Sequence, residues 1–386
     1  MLAVSGVALC SRLAWLAWPS SNTGDSVEYF ETGVRLASTG MFSMDGRVAS
    51  SWLPPLYPAL IAICSLVSRH PVELMLLLQA VLGAITVACV YSIADQFFGR
   101  RAALVAALVL AVAPMTSRFA AVLLTESIFT FLLMGGSWAW GRGHAVISGF
   151  AFGLAVLART SLLPYVILLG IAGCFPLVHG NRRLYRRIAA AALLTVAPWV
   201  IRNVIEVGRV TVADASWGNN LLLGTVVLHG GMNRYAAIRA EVGEPPETPS
   251  VTLEAARARL AVNRIRGDPP RWIRARISQY PFLFIDTGDY LPLDANRTAF
   301  ARAWSESVWP TVILKAAFVC GNVVLLVLAA KGMWLSRRRT VELAPLWSVP
   351  AYFAAAHVPM FVEPRYGLPL VPFLLIFAAA AVSRQH

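Results

Sequence analysis

The chain has 386 residues, of which 58% are hydrophobic and 14% charged, against roughly 25% charged residues in an average soluble domain. That balance excludes a disordered chain and an ordinary soluble enzyme. The formal charge is +13, and in so apolar a chain it reads as the basic bias of membrane-protein loops, with no nucleic-acid partner implied.

Of the 33 basic residues two are lysines, Lys315 and Lys331, which leaves 31 arginines. Such an Arg excess is the composition of a GC-rich, bacterial source. Cys10, Cys64, Cys89, Cys174 and Cys320 each sit in an apolar run without a CxxC pair. They read as buried, inert side chains, and imply no disulfide framework or zinc site.

Apolar runs of membrane-crossing length lie at about 2–18, 72–97, 102–116, 121–140, 187–204, 309–334, 343–360 and 366–382. The stretch 144–178, interrupted by Arg159, Ser161 and Pro164, reads as two short helices. Two helices put the Arg182–Arg187 cluster on the same side as Arg100, Arg101, Arg142 and Arg337–Arg339, as the positive-inside rule favours. The predicted fold is therefore an all-α polytopic membrane protein of about ten transmembrane helices with both termini in the cytoplasm. Residues 1–204 form an N-terminal transmembrane module with a first outer loop at 19–70. Residues 205–308 form an extracytoplasmic loop region, and 309–386 the C-terminal transmembrane helices.

Gly24-Asp25-Ser26-Val27-Glu28-Tyr29 opens a helical stretch to Leu36, which Gly40 can cap. Asp25 then lies at the bilayer edge, and Glu28 on a solvated helix face. Trp52-Leu53-Pro54-Pro55-Leu56-Tyr57-Pro58 precedes an apolar run to Val67, and its prolines favour an interfacial helix over a span. In the long outer region Thr252 to Arg266 reads as an amphipathic helix, Asp268-Pro269-Pro270 as a break, and Arg271 to Tyr280 as a second helix. Glu244–Pro249 reads as a loop. Asp286, Asp289 and Asp294 lack the Glu of a calcium hand and read as a solvated loop. The sequon Asn296-Arg297-Thr298 reads as chance. No Walker A, GxGxxG or HExxH occurs.

Five segments in order carry a resemblance: Gly24–Tyr29 with Gly40 and Pro54–Pro58; Leu124-Thr125-Glu126-Ser127-Ile128-Phe129; Pro198-Trp199…Arg202-Asn203 with Trp217-Gly218-Asn219-Asn220-Leu221 and Gly224; Asp268-Pro269-Pro270-Arg271-Trp272; and Arg365-Tyr366-Gly367-Leu368-Pro369…Pro372. Together they resemble the polytopic GT-C glycosyltransferases, in the bacterial branch related to protein O-mannosyltransferases and the lipid A aminoarabinose transferase. The resemblance implies interfacial helices in the first outer loop and a small outer helical region. It also implies a polyprenyl-phosphate sugar donor, a lipid or glycan acceptor, and a site on the outer face of a bacterial inner membrane.

On that resemblance Asp25 is the general base of an inverting transfer, and Glu126 a second catalytic acid. The two together are the ligands of a divalent metal ion, if one is used. Arg365 with Tyr366, Arg159, Arg202 and Arg118 are the candidates for the donor phosphate, since a guanidinium suits bidentate phosphate contact. Tyr57, Trp217, Asn219 and Asn220 are the candidates for sugar or acceptor. His357 reads as a packing residue. Some relatives hold the donor phosphate with a Lys just before the Pro-Pro motif. Here Leu53 stands there, and Arg47 is the nearest basic residue. The alternatives are a transporter or flippase of lipid-linked sugars, and a non-catalytic membrane protein of the same fold. A transporter calls for related halves or midplane charges, and the sequence shows no such repeat.

Overall fold

The structure is a computed structural model that describes residues 1–17, 24–175, 181–214, 217–228, 241, 251–286 and 308–383. The expected loop Glu244–Pro249, Asp289, Asp294 and the Asn296 sequon lie outside the described residues. The chain divides into two compact units. One comprises Met1–Ala213, Val327–Val349 and Pro369–His386, the other Asp214–Leu326 and Pro350–Leu368.

The described regular structure is helical. The first unit opens with α1 (Leu2–Leu16), α2 (Gly24–Thr39), α3 (Leu56–Val67), α4 (Pro71–Phe98), α5 (Arg100–Val112) and α6 (Pro114–Arg118). A 3-10 turn at Phe119–Ala121 leads to α7 (Glu126–Gly141), α8 (Ala145–Ala158), α9 (Leu163–Ala172) and α10 (Arg182–Val207). The second unit opens with α11 (Trp217–Leu223), α12 (Val251–Gly267) and α13 (Pro269–Gln279). The chain ends through α14 (Trp309–Leu335), α15 (Ala344–Ala356), α16 (Pro364–Gly367) and α17 (Val371–Ser383), with a 3-10 turn at Leu368–Leu370.

The expected count of about ten transmembrane helices does not hold. Among the described residues four helices are long and apolar enough to cross a membrane: α4, α10, α14 and the run Pro364–Ser383. A fifth is reached if the bent pair α5 and Pro114–Ala121, which turns by 55°, counts as one span. The reason is that several apolar runs are broken. Ala113 is extended ahead of Pro114, as a residue before proline prefers. Arg159 is extended too, and divides α8 from α9. The 15 residues of α1 and the 14 of α8 reach only about 22 and 21 Å at 1.5 Å per residue, short of a hydrocarbon core of roughly 30 Å. With the count goes the parity argument that placed the Arg182–Arg187 cluster and both termini in the cytoplasm.

The chain is nonetheless a multi-pass membrane protein. Ile313, Val323, Val324 and Val327 of α14 are exposed, and only 17% of its apolar window is buried. Such a surface calls for lipid. Inside the first unit α8 meets α10 through Gly149 and Gly153, one turn apart. A Cβ at Gly149 would lie 2.3 Å from the Ile188 carbonyl oxygen, and one at Gly153 2.7 Å from that of Ala192. Small residues at this spacing let two helix backbones approach closely.

Candidate active site

In the first unit the expected site residues are positioned by a chain of contacts from α2 to α8. Asp25 lies in the first turn of α2 and is exposed. A carboxylate suits that position, where the helix N-terminus presents unpaired N–H groups. One turn on, Tyr29 sets its ring edge-on to Tyr57 of α3 at 5.1 Å. Tyr57 is fully buried, and its hydroxyl donates to Gln79 Oε1 on α4 at 2.8 Å. The Gln79 amide donates in turn to the carbonyls of Ala120 and Val122 at 3.1 and 2.9 Å. That holds in place the irregular stretch leading to Glu126.

Glu126 opens α7 and is 1% exposed. Arg159 answers it from the break between α8 and α9. Its Nη2 donates to Glu126 Oε1 at 2.7 Å and its Nε to Thr125 Oγ1 at 2.9 Å. Its guanidinium also lies over the Phe129 ring at 5.7 Å. Among the described residues Glu126 Oε2 has no hydrogen-bond partner, although it is buried. A buried acid is tolerable there because it is paired.

The other expected phosphate ligands of this unit are tied to protein groups. Arg202 on α10 donates to the carbonyls of Ser50 (2.7 Å) and Phe42 (3.2 Å) and pairs with Glu206 at 2.7 Å. It also lies 4.8 Å from the Trp199 ring. It thereby fastens the first loop to α10. Arg118 is 2% exposed and lies 6.0 Å from the Trp15 ring. Leu53 is buried and Arg47 exposed.

Glu28 differs from its expected solvated face. It is half-buried, and its carboxyl is pushed above the usual range by burial first, then by the charges of Asp25 and Glu31. Sequence spacing could show the i, i+3 relation to Asp25, but not the burial.

In the second unit Glu254 is the residue that sequence reading missed. It is 2% exposed on α12 and accepts from the backbone N–H groups of Gly218 (2.8 Å) and Asn219 (3.0 Å). Arg257 donates to Asn219 Oδ1 at 2.9 Å, so the side-chain carbonyl proposed for a sugar is held by protein. The Asn220 carbonyl accepts from the Phe361 N–H at 2.8 Å. Trp217 remains 50% exposed. Arg276, whose guanidinium burial lowers to about 10, donates to the carbonyls of Gly224, Val358 and Met360. Arg365 pairs with the buried Glu363 at 2.7 Å and lies over Tyr366 at 5.5 Å. Glu363 too was missed, although it stands two residues before Arg365. His357 stacks on Phe353 at 5.5 Å, a packing role.

The expected residues therefore fall into two sets. Asp25, Tyr57, Arg118, Glu126, Arg159 and Arg202 belong to the first unit, and Trp217, Asn219, Asn220, Arg365 and Tyr366 to the second. Among the described residues no three His, Cys, Asp or Glu side chains gather as a metal-ligand set, and Glu126 has one oxygen taken by Arg159. No step below is routed through a metal.

Comparison with known proteins gives the fold. The family of dolichyl-phosphate-mannose-protein mannosyltransferases matches residues 53–205. Among curated proteins no sequence matches the chain. The oligosaccharyltransferase of Archaeoglobus fulgidus in the apo form is similar with a TM-score of 0.55 and 12% identity, over 99% of this chain and 50% of that one. The same enzyme, AglB, in complex with an inhibitory peptide and a dolichol-phosphate gives 0.54 and 13%, over 99% and 50%. The chain thus spans about half the length of that enzyme. ArnT from Cupriavidus metallidurans bound to undecaprenyl phosphate gives 0.45 and 17%, over 99% and 77%. The fold is thus similar to that of the Archaeoglobus fulgidus oligosaccharyltransferase.

Proposed function

We propose that this chain is a GT-C glycosyltransferase that moves a sugar from a polyprenyl-phosphate donor to a lipid or glycan hydroxyl, with inversion. The reaction forms a bond from the acceptor oxygen to the anomeric carbon and breaks the bond from that carbon to the phosphate oxygen. The acceptor proton goes to a base, and the polyprenyl phosphate leaves as an anion. Asp25 is that base. Its support is its place: a solvent-facing carboxylate in the first turn of α2 can meet a substrate, whereas the buried Glu126 cannot. Glu126 and Thr125 act as positioning residues that orient the Arg159 guanidinium toward the leaving phosphate. Within the second unit Arg365, oriented by Glu363, is a further candidate for phosphate contact. Preorganised positive charge of this kind favours the transition state, where negative charge grows on the departing phosphate, over the monoanionic donor.

The test is transfer in proteoliposomes carrying a polyprenyl-phosphate sugar. Asp25→Asn is expected to lower the transfer rate about 10²- to 10⁴-fold while donor binding and thermal stability stay unchanged. Unchanged transfer by the variant overturns the base assignment. Donor movement across the bilayer without transfer by the wild-type chain points to a flippase instead. Repeating the wild-type assay after chelation tests whether a divalent ion takes part. The same reading sets Asp25 on the outer face of a bacterial inner membrane. A Ser38→Cys chain in a cysteine-free background is expected to react with an impermeant maleimide on intact cells, and reaction only after lysis reverses that orientation.

A further inference from the structure

The α12 helix carries four arginines with two fates. Arg257 pairs with Glu254 and bonds Asn219, and Arg264 pairs with Glu241 at 2.9 Å and bonds Thr225 at 3.1 Å. Arg259 and Arg266 have no ion pair or side-chain hydrogen bond among the described residues. They lie instead, with Asn263, along one side of a groove of about 550 Å³ between α11 and α12. The exposed Trp217 and the apolar Leu221 and Val262 line the same groove. Positions 259, 263 and 266 share a helix face, and the outer two are about 10 Å apart along the axis.

The groove has the size of a small-ligand site, and its chemistry is mixed. An aromatic face stacks on the C–H face of a pyranose ring, and an amide bonds its hydroxyls. Two arginines without carboxylate partners among the described residues suit negative charge on the same ligand, since a guanidinium fork matches a carboxylate or phosphate bidentately. A neutral sugar would leave the arginines without partners, and a simple anion would leave Trp217 without a partner. We infer that this groove is a binding site for an acidic saccharide, one bearing uronate or phosphate groups. Its identification as the acceptor rests on the transferase reading; the binding itself does not.

The experiment is calorimetric titration of the full chain, in phosphatidylcholine nanodiscs and without donor, with hexagalacturonate and with maltohexaose. Hexagalacturonate is expected to bind, to weaken as salt rises, and to outcompete the neutral hexamer. Trp217→Ala and the pair Arg259→Gln with Arg266→Gln should each weaken it about tenfold, and Arg257→Gln, away from the groove, should not weaken it by that factor. Asp25→Asn should bind as wild type does, and absence of transfer by the wild-type chain with groove binding intact counts against the transferase reading and not the groove. Equal binding of both hexamers, or wild-type affinity in the groove variants, overturns the inference. So does absence of hexagalacturonate binding with groove-dependent retention of phosphatidylglycerol, which makes the face a lipid contact.

Discussion

Glu126 and Glu254 are both almost fully buried, at 1% and 2% exposure, yet they are satisfied in different ways. Glu254 Oε2 accepts two backbone N–H groups at the start of α11, and its Oε1 lies 3.9 Å from Arg257. Its Oε2 holds α12 to the start of α11, and its Oε1 faces an arginine of its own helix. Glu126 gives Oε1 to a single guanidinium, and its Oε2 is without a hydrogen-bond partner among the described residues. Leaving a buried acceptor unpaired costs free energy. The difference separates a carboxylate capped by backbone N–H groups from one whose hydrogen bond is to a guanidinium.

The largest expected effect breaks the second kind. Glu126→Ala leaves Arg159 without its counter-charge, and removing one partner of a buried pair costs about 3–5 kcal/mol. Because Arg159 retains 19% side-chain exposure, the loss should fall at about 3 kcal/mol. Thermal unfolding in detergent checks it, and adding Arg159→Met should recover part of it. If the double variant is no more stable than the single, the two residues do not act as a pair. Glu254→Ala should cost less, about 2 kcal/mol, because it leaves two N–H groups without acceptors while Arg257 keeps its bond to Asn219 Oδ1. Arg257→Met should not rescue it, in contrast to the first pair.

Gly218→Ala disturbs the same contact without touching charge. A Cβ there would lie 1.9 Å from the Glu254 carbonyl oxygen, a backbone atom that cannot rotate away. The expected loss is about 1–2 kcal/mol from forced separation of α11 and α12. A loss as large as that of Glu254→Ala would mean that close packing, and not the cap, fixes this joint.

How far the sequence revealed this arrangement depends on range. Local signals were legible. Gly40 takes φ +72° after α2, as a C-terminal cap requires. The amphipathic pattern of Thr252–Arg266 is α12 to within a residue at each end. The break read at Asp268-Pro269-Pro270 is where α12 ends and α13 begins, with both prolines inside the new helix. They occupy the first turn of α13, where their missing N–H groups are not needed, and Asp268 Oδ1 caps Arg271 N–H at 2.9 Å. The transmembrane count failed because hydropathy counts apolar residues and not unbroken helix; the breaks at Ala113 and Arg159 are set by backbone conformation. Glu254 was invisible because the N–H groups it accepts, at Gly218 and Asn219, lie 36 and 35 residues away in sequence. Arg202 could be read as a cation near a helix end, but its acceptors at Phe42 and Ser50 are about 150 to 160 residues away in sequence.

The smallest expected effect concerns Glu28, a carboxyl that is neither free nor paired. Burial comes first among the causes that raise its pKa, and the charges of Asp25 and Glu31 add to it. A carboxyl whose folded pKa is raised favours the neutral form in the fold. Its stabilising contribution is present below the unfolded pKa of about 4.3 and is lost as pH rises through the folded value. Glu28→Gln, neutral at every pH, should therefore raise stability at pH 7, by about 0.5 kcal/mol or less for a half-buried position. The gain should vanish near pH 4. If the same variant also leaves the pH profile of transfer unmoved while Asp25→Asn abolishes transfer, Asp25 alone carries the proton. A shift of the profile's acid limb to lower pH in Glu28→Gln would show that the Glu28 charge sets the basicity of Asp25, and would make the two carboxyls one titrating unit.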